Sequence, residues 1–157
     1  MPIPISLKQA TDEVDGPGSA MDGWVHRKTG EFVFIPKEEN YGSLDEFQEE
    51  IDRVEESEDF IALPSQFDLH EYRIMERFSA SQADDRVRER LLEAISGKGA
   101  FRRFKDTAHR LGVREAWFEY RFAALAVQVA DFLDENGISY IDDVGLPKRA
   151  RPDDEAD

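Results

Sequence analysis

The run Gly97-Lys98-Gly99-Ala100-Phe101-Arg102-Arg103-Phe104-Lys105-Asp106 is where this chain concentrates its cationic chemistry. From Gly97 to Arg121, seven Lys/Arg stand against three Asp/Glu, a local balance of +4 in a chain of 157 residues whose net charge is -15. Two glycines ahead of a helical pattern leave backbone N–H groups free at the positive end of a helix dipole, the arrangement by which helix N-termini hold phosphate. The candidate anion-binding residues are therefore Lys98, Gly99, Arg102, Arg103, Lys105, Arg110 and Arg114. The same stretch also has a structural reading, which we favour. The glycines turn the chain between two antiparallel helices, Phe101 and Phe104 anchor the core, and Asp106 pairs with Arg110 at i,i+4. The two readings are compatible, because burying the phenylalanines leaves the cations on the flanks.

A second cluster, Trp117-Phe118-Glu119-Tyr120-Arg121-Phe122, packs four aromatics into six residues. Successive helical residues are rotated by about 100°, so the four rings cannot share one buried stripe. Trp117 and Tyr120 are candidates for an aromatic platform that stacks a base or grips a partner beside Arg114 and Arg121. The competing reading, which we prefer, is a helix buried on two sides.

Much chemistry is excluded. There is no Gly-x-Ser-x-Gly elbow, no Gly-x-x-x-x-Gly-Lys-Ser/Thr phosphate loop and no Gly-x-Gly-x-x-Gly after a strand. His26, His70 and His109 fall on different elements, and none has a second His three or four residues away, so no metal site is expected. Adjacent carboxylates such as Glu49-Glu50 and Asp84-Asp85 belong to solvated helix faces. Zero Cys removes disulfide and thiol chemistry. No cofactor is implied. The first residues do not resemble a signal peptide, and the longest apolar run, 122–130, falls well short of the ~20 residues that span a bilayer. A cytoplasmic protein with no membrane contact is the expectation.

The elements that position these residues follow from period and punctuation. A short helix is expected over Ile5 to Val14, within an N-terminal segment 1–21, stopped by Gly16-Pro17-Gly18-Ser19. Trp24 to Ile35 predicts a β-hairpin turned at Lys28-Thr29-Gly30. Pro36 to Gly42 is expected as a loop, and Ser43 to Glu46 as a capping box that starts a helix with Leu44, Phe47, Ile51 and Val54 on one face and acids on the other. Phe60 to Leu63, stopped by Pro64, is expected as a strand that joins the hairpin. Asp68 to Glu71 predicts a second capping box for a helix with Leu69, Tyr72, Met75 and Phe78 along one stripe. Val87, Leu91, Leu92 and Ile95 mark a helix closed by Gly97; Phe101, Phe104, Ala108 and Leu111 mark one closed by Gly112. The longest helix runs from about Arg114 to Asn136, with Gly137 closing it and Ile138 packing back. Ile138 to Ile141 is a further short strand, and 147–157 reads as a polar, disordered tail. The fold class is α+β: a mostly helical single domain over 22–146 with a small antiparallel sheet, the hairpin plus one short strand.

The hairpin ending in Thr29-Gly30-Glu31, Phe60 to Ser65, the helix His70 to Phe78, and above all Gly97 to Asp106 followed by Arg114-Glu115-Ala116-Trp117-Phe118 resemble the bacterial uncharacterised protein family 0158 over roughly residues 22 to 141. The resemblance implies a cytoplasmic bacterial protein with a helix-rich α+β fold, and it supplies no catalytic residue. The chain departs from that pattern at His26-Arg27-Lys28, where the family tends to be acidic.

Acid excess disfavours broad binding to nucleic acid or anionic membranes, so any anionic partner must meet a local patch. The favoured function is a non-enzymatic binding or regulatory module. Its basic patch would meet an anionic partner, whether a nucleic acid, a nucleotide or an acidic protein. One alternative is an enzyme acting on a phosphorylated or nucleotide substrate with His70 or His109 as general acid/base. Another is a protein-protein adaptor using the acidic helix Asp45 to Asp59. A pocket separates them: an enzyme needs a concave site with convergent polar groups and perturbed pKa values, whereas a binding module needs only an open basic face.

Overall fold

Two segments rich in β-branched and aromatic residues flank the Lys28-Thr29-Gly30 turn, and they fold as expected into an antiparallel hairpin. The computed structural model describes residues 4–16 and 20–146, apart from the side chains of Asn40, Gln66 and Phe67. Strand β1 (Ile5–Ser6) leads into helix α1 (Leu7–Asp15), where the Ser6 hydroxyl accepts the Gln9 N–H as an N-cap. Strands β2 (Met21–His26) and β3 (Phe32–Pro36) form the hairpin, with Trp24 opposite Val33. Gly30 closes its turn at φ +75°, and any Cβ there would collide with Ile5. At Gly23 the Phe34 ring lies across the missing side chain, and an added Cβ would stand 2.6 Å from it.

The expected loop after the hairpin instead contains a single helical turn, α2 (Glu38–Tyr41). Its two leading acids suit the positive end of a helix. The first capping box does not form. The Ser43 hydroxyl accepts from Asp45 N–H, two residues on, and the Glu46 carboxylate is taken by the Tyr41 hydroxyl. A 3-10 turn (Asp45–Phe47) therefore precedes α3 (Gln48–Glu56), on which Ile51 and Val54 are half-buried. Strand β4 (Phe60–Ala62) pairs antiparallel with β2, Val25 opposite Ile61, giving the sheet order β3-β2-β4.

The second capping box lies one turn earlier than expected, at Ser65 and Asp68. The Ser65 hydroxyl accepts Asp68 N–H at 3.2 Å and the Asp68 carboxylate accepts Ser65 N–H at 2.9 Å, opening the short α4 (Gln66–Leu69). His70, in the left-handed region at φ 51°, then redirects the chain into α5 (Glu71–Ala80). Helices α6 (Asp85–Ala94), α7 (Ala100–Arg110) and α8 (Arg114–Glu135) follow. The last ends as its glycine predicts: Ile138 N–H donates to Leu133 C=O at 2.9 Å and Gly137 N–H to Asp134 C=O at 3.2 Å, with Ile138 buried. Strand β5 (Tyr140–Ile141) pairs with β1 in parallel, forming a second, two-stranded sheet separate from the antiparallel one. The fold is mostly helical α+β, and the expected tail at 147–157 lies outside the described residues.

The chain divides into two compact units. One comprises Met1–Leu63 and Ala126–Asp157, and its buried residues include Leu7, Val25, Val33 and Leu133. The other is the continuous segment Pro64–Leu125, organised around Phe78, Leu91, Phe104 and Trp117. Ser79, buried in the second unit, is satisfied by donating to the Met75 carbonyl at 2.8 Å. Among the described residues, no helix is long and apolar enough to cross a membrane.

Candidate functional site

Every residue proposed from the sequence as an anion or aromatic contact lies in the second unit. Its order begins with aromatic packing. Phe104 is fully buried and meets the Trp117 ring edge-on at 4.8 Å between centroids; Phe78 lies against both and against Tyr120. Trp117, a candidate for an exposed platform, is thus a core residue at 1% exposure, and Tyr120 is half-buried on Phe78. Phe118 turns outward at 46% exposure, as the 100° rotation requires of at least one neighbour.

Phe101 corrects the structural reading of the basic motif. It is 48% exposed and is no core anchor. The buried stripe of α7 is Ala100, Phe104 and Ala108, four apart, and Phe101 starts an exposed stripe about 100° round the helix with Lys105 and His109. The expected Asp106–Arg110 ion pair is not formed among the described residues.

Arg102 and Arg103 part company completely. Arg103 folds back over the C-terminal end of α6. Its Nε donates to Ala94 C=O at 2.8 Å, one terminal nitrogen to Lys98 C=O at 3.0 Å, and the other to Ser96 C=O. Those carbonyls are the negative end of α6 and its following turn, so the guanidinium fork serves as a C-cap. Gly99, left-handed at φ 73°, lets the chain turn under that side chain; Arg103 is the nearest atom group to its missing Cβ. Arg121 is also structural, bridging to Glu71 at 2.6 Å with both side chains about one-fifth exposed.

The remaining cations divide by position. Lys105, Asp106 and His109 of α7 and Arg114, Trp117 and Phe118 of α8 line one groove of about 270 Å³. Within it the Arg114 guanidinium sits 5.2 Å from the Phe118 ring centroid, a cation–π contact. Trp117 contributes a second feature: its indole N–H is buried and has no acceptor among the described residues. Lys98, Arg102 and Arg110 are exposed but do not line the groove. Of the seven anion-binding candidates, the structure therefore gathers Lys105 and Arg114. Sequence reasoning missed Phe118 and Asp106 as site residues and considered His109 as a general acid/base or metal ligand, not as an anion contact. The spacings Phe101/Lys105/His109 and Arg114/Phe118, each four apart, were the available signal.

The other histidines are elsewhere. His26 builds the hairpin turn: its Nδ1 accepts the Lys28 and Thr29 N–H groups at 3.2 and 3.1 Å, and its ring stands edge-on to Phe60. Arg27 and Lys28 meet Asp59 at 2.8 and 3.6 Å, so two cations of the turn share one carboxylate. The Arg27 contact holds the Asp59 carboxyl below its ordinary range, with Lys28 adding to the effect. On the acidic helix, Arg53 reaches Glu31 at 2.5 Å. Among the described residues, no three His, Asp or Glu side chains gather closely enough to hold a metal ion.

A family model described as an uncharacterised protein family, UPF0158, matches residues 1–152, a longer span than the motifs alone mark out. No curated protein and no solved structure matches the chain. The chain belongs to that family.

Proposed function

We propose that this member of an uncharacterised family is a binding module, not a catalyst, and that it takes the anionic part of a partner in the α7–α8 groove. The observation that carries the proposal is convergence: Lys105, His109 and Arg114 come from two helices to one concavity walled by Trp117 and Phe118. Opposite charge held beside apolar walls is the ordinary composition of a ligand site. Outside the groove the chain is strongly acidic, which rejects extended polyanions and confines attraction to a short segment.

Binding is favoured over catalysis because a general base needs a neighbour to orient it, and among the described residues the His109 ring has no hydrogen-bond partner. Binding is favoured over the acidic-helix adaptor because part of that acidic charge is answered internally, by the Arg27 and Lys28 contacts to Asp59.

The test is titration with inorganic phosphate, nucleotides and single-stranded RNA and DNA at two salt concentrations, with Lys105→Gln and Arg114→Gln beside the parent. Binding that weakens steeply with salt and drops about ten-fold or more in either variant supports the reading. Parent-like affinity in both variants, or no binding at low salt, overturns it.

A further inference from the structure

The same groove narrows the ligand class, provided that it is the anion site proposed above. Its volume of about 270 Å³ lies just under the roughly 300–1,000 Å³ of sites that enclose whole drug-sized ligands, so it suits one ring system with its attached charge. The wall is chemically divided. On α8 the half-exposed Phe118 ring carries the Arg114 guanidinium 5.2 Å from its centroid, a pairing of two flat π-surfaces. On α7, Lys105 and His109 are one turn apart, and Asp106 between them adds an acceptor-only group.

A carboxylate-rich peptide would use the cations, but its acidic side chains give the ring and guanidinium surface nothing flat to stack on and give Asp106 no donor. A nucleobase uses all of these. Its plane stacks on Phe118 or Arg114, its exocyclic amino or ribose hydroxyl donates to Asp106, and its phosphate meets Lys105 and the imidazole of His109. A longer strand would run its further phosphates out over a chain with 35 Asp/Glu against 20 Lys/Arg. We infer that the groove binds a single nucleotide, a planar base joined to one phosphate-bearing sugar, in preference to a polynucleotide or an acidic peptide.

The test is an equilibrium titration of the full chain with the four ribonucleoside monophosphates, their nucleosides, inorganic phosphate, a single-stranded RNA oligomer and a peptide alternating Asp and Phe. Phe118→Leu removes the ring but keeps an apolar side chain at an exposed position; Arg102→Gln is the control outside the groove. At least one monophosphate is expected to bind about ten-fold more tightly than both its nucleoside and inorganic phosphate. Phe118→Leu should weaken that nucleotide by a clearly larger factor than it weakens inorganic phosphate, about ten-fold or more, and Arg102→Gln should alter neither. Equal affinity for phosphate and nucleotide, or tighter binding of the peptide or the oligomer, overturns the nucleotide assignment and leaves the anion site standing. No binding by any of the anionic probes overturns both.

Discussion

The inward and outward sides of α7 are made from the same residue types and behave as different materials. Phe104 is sealed between Phe78 and Trp117, whereas Phe101, less than one turn away, keeps 48% of its surface. Arg103 commits its fork to the carbonyls at the end of α6, whereas its neighbour Arg102 lies exposed on the surface. Scaffold and surface are thus interleaved at helical period along Gly97 to Asp106. The density of Arg and Phe in such a motif says little about which of them face a partner.

The largest test of this division is Phe104→Ala. It should cost about 3–5 kcal/mol in denaturant unfolding, since a fully buried ring is lost and a cavity left behind. Phe101→Ala should cost no more than about 1 kcal/mol by the same measurement, and equal losses would erase the distinction between the two faces.

Arg103→Ala comes next, at about 1–2 kcal/mol, because three carbonyl groups lose their donor. Arg103→Lys should restore little of it, as a point charge on a flexible stem cannot reach three oxygens in a fixed fork. Arg102→Glu should fall within about 0.5 kcal/mol, and thermal unfolding of these three variants beside the parent would show whether the adjacent arginines are as unlike as their contacts.

The smallest effect belongs to the box that opens the same unit. The Ser65 backbone N–H, then its hydroxyl, hold the Asp68 carboxyl below its ordinary range. A depressed folded-state pKa adds stability in full above the unfolded value of about 3.9, and that stability is lost as pH falls through the lower folded value. Stability measured from pH 6 down to pH 2 should therefore decline less steeply in Asp68→Asn than in the parent. An unchanged acid limb would mean that the box is not formed in solution.

What the sequence made legible was local. Gly30 and Gly137 announced the hairpin turn and the end of α8 because each supplies a positive φ that its neighbours cannot, and a run such as Phe60 to Leu63 before a proline has few choices beyond an edge strand. The capping boxes were misplaced for a physical reason. Short polar side chains near Ser43, Ser65 and Asp68 offer several competing hydrogen bonds of similar strength, and tertiary packing selects among them. The buried face of α7 was misjudged because two of its three members are alanines, whose weak hydrophobic signal is outweighed by that of Phe101. The role of Arg103 depends on where α6 ends in space, which no spacing within α7 encodes. The groove was half legible: Lys105 and Arg114 stood among the candidates, and Phe118 was passed over for its neighbour Trp117.

The parallel pairing of β1 with β5 gives the molecule a history. Lys8 N–H donates to the Asp143 carboxylate across a separation of 135 residues, and Ile5 N–H to the Ser139 carbonyl across nearly as many. A chain made from its N-terminus exposes β1 first, yet β1 must wait for almost the last described residues before it has a mate, and contacts of such span are slow to close. The contacts of the Pro64–Leu125 segment are instead made within one continuous stretch of chain. Contacts around the groove can therefore close while β1 is still waiting for β5 to be synthesised.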